Sequence, residues 1–143
     1  MHAEILKPVA TLAVWTMVMW VWMYATRIPA MTKAKIDPDA LVQQGASSLK
    51  DLLPAKVQWK ADNYNHLHEA PTVFYAVALA LAFMNAGNGI NATLAWIYVG
   101  LRVAHSILQA TMNKVMLRFI IFALSSLVLM MLVAHTALIA FAR

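Results

Sequence analysis

Cysteine is absent, so disulfides and thiolate chemistry are excluded and the chain carries no mark of its redox compartment. Charge is scarce as well: only 12% of the 143 residues are Asp, Glu, Lys or Arg, against 62% hydrophobic. A soluble domain of this length carries about twice that share of charge. The N-terminal apolar run lacks the small-x-small site of a cleaved signal peptide, and Glu4 precedes it, so it reads as a retained segment. Acidic residues number six against eleven basic ones, a net charge of +5. Nucleic acid is not the expected partner, because basic residues flanking membrane spans commonly set topology.

What is present is apolar runs of membrane-crossing length. Residues 9–26, 69–86, 92–112 and 119–141 read as four spans, joined by a long polar loop over 31–59, the turn Asn85-Ala86-Gly87-Asn88-Gly89 and a short polar link from Gln109 to Arg118. Arg27 and Pro29 close the first span. Within the loop, Asp37-Pro38 predicts a helix start and Gly45 a stop. Ser47 or Ser48 opens a second short helix that presents Leu49, Leu52 and Leu53 and ends at Pro54. Pro71 predicts a kink in the second span. Arg27, Lys33, Lys35, Lys50, Lys56, Lys60, Lys114 and Arg118 fall in the first and third connections, while Lys7 and Arg143 lie at the ends. This asymmetry predicts a cytoplasmic long loop, with both termini on the opposite side of the membrane.

One stretch breaks the apolar pattern: Asp62-Asn63-Tyr64-Asn65-His66-Leu67-His68-Glu69 runs straight into the second span. If it is helical, Asp62, Asn65 and Glu69 share one face, with His66 at its edge. A carboxylate at the threshold of hydrocarbon is costly unless paired, which makes Glu69 a functional candidate. In the third span Tyr98, Arg102, His105 and Gln109 recur at three- and four-residue steps and form a polar stripe. Counted back from the turn, Glu69 is level with Leu108 and Gln109. The offset to Arg102 is then roughly 9 Å, within reach of a guanidinium, so a Glu69–Arg102 ion pair is expected. Such pairs also serve only to fix helix packing, and both readings stand. Arg118, Lys56, Lys60 and Lys114 gather at the same end, which suits a polar anion beside a greasy co-substrate. His66, His68 and Glu69 are too close in sequence to converge from one helix, and His105 and His135 lie at other levels, so no metal is expected. His135 reads as an interfacial residue; Ser125, Ser126 and Thr136 read as packing or backbone-bonding groups.

Three blocks resemble the MAPEG family, the membrane-associated proteins in eicosanoid and glutathione metabolism, and its bacterial branch in particular. They are Asn65-His66-Leu67-His68-Glu69-Ala70-Pro71-Thr72-Val73-Phe74-Tyr75, Tyr98-Val99-Gly100-Leu101-Arg102-Val103-Ala104-His105-Ser106, and Asn113 to Arg118. The resemblance implies an all-α, integral membrane four-helix bundle assembled as a homotrimer, with glutathione as co-substrate between subunits near the cytoplasmic side. By the same resemblance Asn65, His66, Glu69, Arg102, His105 and Gln109 hold the tripeptide, and Arg118 stabilises its thiolate. The family pattern is Asn-x-x-Glu, and here His66 stands at the Asn offset from Glu69. Gln109 replaces a tyrosine found in several catalytic members, Phe119 and Phe122 replace hydroxyl residues, and Lys56 and Lys60 replace an arginine-rich entry. Two functions follow: a glutathione-dependent transferase or peroxidase acting on lipophilic electrophiles, or a non-catalytic lipid-binding or scaffolding protein. Either has membrane lipids as its surroundings.

Overall fold

The computed structural model describes residues 3–43 and 49–142. Among these, every regular element is helical: α1 (Leu6–Lys33), α2 (Pro38–Gln43), α3 (Leu49–Leu52), α4 (Ala55–His66), α5 (Ala70–Phe83), α6 (Ile90–Thr111) and α7 (Val115–Phe141). Two of them, α1 and α7, are long and apolar enough to cross a membrane. Threonine and serine hydroxyls along both bond back to carbonyls of their own turn, as at Thr16 with Leu12, Ser126 with Phe122 and Thr136 with Leu132, so these polar groups leave no unmet bond facing lipid.

Several boundaries differ from the apolar-run limits. The first helix does not close at Arg27 and Pro29; it continues to Lys33. It ends with Lys35 in the left-handed region, its amide bonded to Thr32 O and that of Ile36 to Met31 O. The 31–59 segment is largely helical among its described residues. Asp37 caps α2 as expected, accepting a bond from the Asp39 amide at 3.0 Å. Gly45, Ser47 and Ser48 lie outside the described residues. Of the three leucines expected to share one apolar face, Leu53 is buried and Leu52 is exposed. The link from Gln109 to Arg118 is also mostly helix, with Met112, Asn113 and Lys114 alone between α6 and α7.

The largest correction concerns the polar run before the second apolar stretch. It is not one continuous helix: α4 stops at His66, and α5 starts at Ala70 with Pro71 in its first turn. Proline 71 has no amide to offer the carbonyl four residues back, and its ring crowds that carbonyl, so the chain breaks just upstream rather than kinking. Glu69 therefore leaves the helical face it was expected to share with Asp62 and Asn65. The two pieces still follow α1 in antiparallel order. The Ile5 amide bonds Gly87 O at 2.9 Å near one end of α1, and Lys60 Nζ lies 5.3 Å from the centre of the Trp22 ring near the other.

Helix α6 is the hub, packing against α1, α4 and α7, while α5 packs against α1 and α7. The core contains Leu12 and Met19 of α1, Phe74 and Leu81 of α5, Tyr98 of α6 and Leu132 of α7. Phe74 and Tyr98 stack with ring centres 4.6 Å apart. Two polar junctions tie the helices. At one, Ser106 Oγ accepts bonds from Trp15 Nε1 at 2.9 Å and Asn63 Nδ2 at 2.7 Å, joining α1, α4 and α6. At the other, His135 Nδ1 donates to Asn91 Oδ1 at 2.7 Å, and the Asn91 amide group donates to Ala86 O. His135 is thus a link between α7 and the start of α6 rather than a residue merely placed at an interface.

Candidate functional site

The break after α4 sets the level of everything in the site. With α5 ending at Phe83, the α5–α6 turn centres nearer Asn85 and Ala86 than Gly89, and α4 slides along α6 accordingly. His66, not Glu69, comes level with Arg102 and His105; Asn63 meets Ser106, and Lys60 reaches Ala110 O at 3.4 Å. The pairing is displaced by roughly two helical turns from the one counted along the sequence.

The expected Glu69–Arg102 ion pair is consequently replaced by a chain with His66 in the middle. His66 Nδ1 donates to Glu69 Oε2 at 2.7 Å, so its other nitrogen, Nε2, is the acceptor that faces Arg102 Nη1 at 3.4 Å. The Glu69 side chain is 65% exposed, whereas Arg102 is 1% exposed. The guanidinium is flanked by the rings of Tyr98 and Phe122, its Cζ 5.2 and 5.3 Å from their centres. Its Nε and Nη2 have no hydrogen-bond partner. A buried charge left so sparsely paired costs on the order of several kcal/mol, which cation–π contacts offset only in part.

Beside this chain lies a recess of about 290 Å³, lined by His66, His105, Val115, Arg118, Phe119 and Phe122. The His66 and His105 rings lie 5.1 Å apart, and both approach Phe122, at 5.8 and 6.5 Å. Arg118 is fixed from the α6–α7 turn, where Asn113, with φ of +50°, accepts a bond from Arg118 Nη1 on its Oδ1. Three apolar side chains of α7 thus share one cavity with a guanidinium and two imidazoles.

Of the site residues read from the sequence, His66, His105 and Arg118 line the recess together. Arg102 lies against its wall through His66 and Phe122. Gln109 is buried on α6, its Oε1 without a partner, and does not line the recess. Asn65 is exposed on α4, and Glu69 acts on His66 from outside the cavity. The lysines do not gather at the recess. Lys60 turns to Trp22 and to the carbonyls of Lys56 and Ala110, and Lys56 and Lys114 are exposed. Burial, and secondarily the charge of Lys56, holds Lys60 below the ordinary lysine value. Two features escaped the sequence reading: the Trp15–Ser106–Asn63 junction and Phe122 as the ring shared by Arg102 and the recess. The i, i+3 spacing of Asn63 and His66 against Arg102, His105 and Ser106 carried the first; a lone Phe in an apolar run carried no signal for the second.

A helical chain with two helices of membrane-crossing length, and a recess that joins apolar and cationic side chains at a helix junction, fits an integral membrane protein. The MAPEG family model matches residues 5–138, nearly the whole length, and the chain belongs to the MAPEG family. No curated protein and no solved structure matches it.

Proposed function

We propose that this protein is a glutathione-dependent membrane transferase or peroxidase acting on lipophilic electrophiles. The observation that carries the reading is the fixed Arg118 in a recess otherwise walled by Val115, Phe119 and Phe122 and two imidazoles. A guanidinium beside a thiol favours the ionised sulfur, and the thiolate is the nucleophile. The apolar side chains of α7 suit the electrophile, which reaches such a wall from the lipid. Sulfur bonds to the electrophilic carbon or peroxide oxygen, and the displaced group leaves with the electron pair. At about 290 Å³ the recess is at the lower limit of small-molecule sites, roughly 300 Å³, so one protomer holds only part of a tripeptide with its co-substrate. The homotrimer implied by the family supplies the rest of the enclosure. The basic residues of the 31–59 segment orient it to the cytoplasm, with both termini on the far side of a bacterial inner membrane.

The test is spectroscopic. Glutathione added to the detergent-solubilised protein is expected to give near-ultraviolet thiolate absorbance, absent from Arg118→Ala. A wild-type protein with neither thiolate signal nor conjugation across several electrophiles sinks this reading. A second reading, non-catalytic lipid binding, is favoured by a separate groove of about 450 Å³ on α1, lined by Val14, Met17, Val18, Val21 and Trp22. Lipid retained through purification, together with no thiolate, would support it.

A further inference from the structure

We infer that the groove on α1 holds an anionic glycerophospholipid, with an acyl chain along Val14 to Trp22 and the phosphate on Lys60. Val14, Met17, Val18 and Val21 recur at three- and four-residue steps and form one apolar stripe. With Trp22 they wall a groove of about 450 Å³. The four stripe residues are exposed, and from Val14 to Trp22 the groove follows about 12 Å of helix. Trp22 belongs to two features at once. It lines the groove, and the centre of its ring lies 5.3 Å from Lys60 Nζ. A cation therefore stands at the end of an apolar slot, the end nearer Arg27 and Lys33.

The ammonium of Lys60 is fixed in place but not neutralised. It donates to Lys56 O at 2.9 Å and, at 3.4 Å, to Ala110 O, one of the last carbonyls of α6, which that helix leaves free. The side chain thus runs back toward the start of α4, its stem on apolar surface and its charged head drawn toward the interface. Two of its three donors are taken, neither by a charged group. Lys56, one turn away on the same face, adds a second ammonium. Among the described residues neither has a carboxylate within ion-pair distance. Helix capping accounts for the bonds to carbonyls, but not for the apolar slot that opens beside the same ammonium. A free phosphate would leave the slot unfilled, and a lipid without net charge would leave the two lysines uncompensated. An anionic lipid meets both. This rests on lipid occupying the groove, as the second reading above does, and it stands whether or not the recess takes glutathione.

Full-length protein in detergent is titrated with dioleoylphosphatidylglycerol and with dioleoylphosphatidylcholine, and bound lipid is counted by native mass spectrometry. Wild type is expected to bind the anionic lipid about fivefold or more tightly than the zwitterionic one, the advantage one lysine gives near a membrane surface. Lys60→Gln should bring the two affinities together, while Lys60→Arg, which keeps the charge, should hold them apart. Val18→Trp fills the groove and leaves both lysines in place, and it should weaken the anionic lipid to the level of the other. Equal affinities in wild type overturn the headgroup assignment and leave the lipid-binding reading standing. Binding of neither lipid overturns both. A preference that survives Lys60→Gln puts the phosphate on another cation, and one that survives Val18→Trp puts the chain elsewhere; either refutes the proposal. The other occupant of such a stripe is a second copy of the chain. Because the sequence has no cysteine, Val18→Cys introduces a single thiol. A disulfide-linked dimer formed on oxidation, with no lipid retained, assigns the stripe to that copy and overturns the lipid site.

Discussion

Ser106 joins three helices through one oxygen, which makes Ser106→Ala a sharp test of how this bundle is held. The substitution removes the acceptor of both Trp15 Nε1 and Asn63 Nδ2. Trp15 is only half-buried and recovers part of its loss, but Asn63 is fully buried and its Oδ1 already lacks a partner. After the change the whole amide of Asn63 is bare inside the bundle. Interhelical hydrogen bonds within membranes contribute about 0.6 kcal/mol on average and up to about 1.7, so losing two predicts destabilisation of about 1–3 kcal/mol. The assay is reversible unfolding in mixed micelles, with Ser126→Ala as comparator. Ser126 bonds only within its own helix, to Phe122 O, and its removal is expected to cost less than about 0.5 kcal/mol. The double change Asn63→Leu with Ser106→Ala should recover part of the loss, since replacing both partners of a buried bond by apolar groups is often near neutral. A Ser106→Ala protein as stable as Ser126→Ala, or a double variant worse than the sum of its parts, would refute this account of the junction.

Gly87 is packed where a Cβ would sit 2.7 Å from Ile5 Cγ2, 3.1 Å from Ala3 Cβ and 3.2 Å from Ala82 Cα, so Gly87→Ala should cost about 1–3 kcal/mol in the same unfolding assay. Lys35 ends α1 at φ +52°, a conformation that strains a residue with a Cβ, and Lys35→Gly is expected to stabilise by about 1 kcal/mol. Burial, then the charge of Lys56, lowers the pKa of Lys60 from its ordinary 10.5, so in the window below 10.5 the unfolded chain binds more protons. Stability should therefore rise with pH through that window, and Lys60→Gln should flatten the rise in unfolding curves taken across alkaline pH. Asn113→Gly keeps the left-handed turn but frees Arg118 Nη1, and should lower glutathione conjugation by about tenfold with little change in folding.

The helices were legible where periodicity and length spoke together: the apolar runs all lie on α1, α5, α6 and α7, and the Asn85 to Gly89 turn separates α5 from α6. Their ends were less legible. A helix that leaves the apolar region keeps its backbone bonds while its side chains become polar, so hydropathy stops before the helix does, as at Lys33 and Val115. The residues around the recess were in view in the sequence, but which of them pair was not. His66, Arg102, His105 and Arg118 were all in view, but pairing them required the level of α4 against α6. That level depends on where the turn centres and on what Pro71 does to the three residues before it. A proline can bend a helix or end it, and the sequence alone does not choose.

That choice has a chemical consequence. In an unbroken helix Glu69 would project from the same rod as His66, one turn away, and a direct ion pair with a neighbouring arginine would be the economical arrangement. Ending α4 at His66 leaves Glu69 outside the helix, folded back onto the imidazole. The carboxylate is spent on orienting His66, and the guanidinium of Arg102 keeps one edge free. Shifting the break should therefore shift the pairing. In Pro71→Ala the missing amide is restored, and α4 and α5 can join. Glu69 would then be drawn toward Arg102, and the imidazole of His66 would lose its carboxylate. The measurement is the His66 side-chain nitrogen shifts by NMR in micelles: wild type should report a proton held on Nδ1, and Pro71→Ala a change toward the other tautomer. An unchanged His66 spectrum in a Pro71→Ala protein that folds would show that the break is set by something other than the proline, and the account of the site's register would have to be rebuilt from another cause.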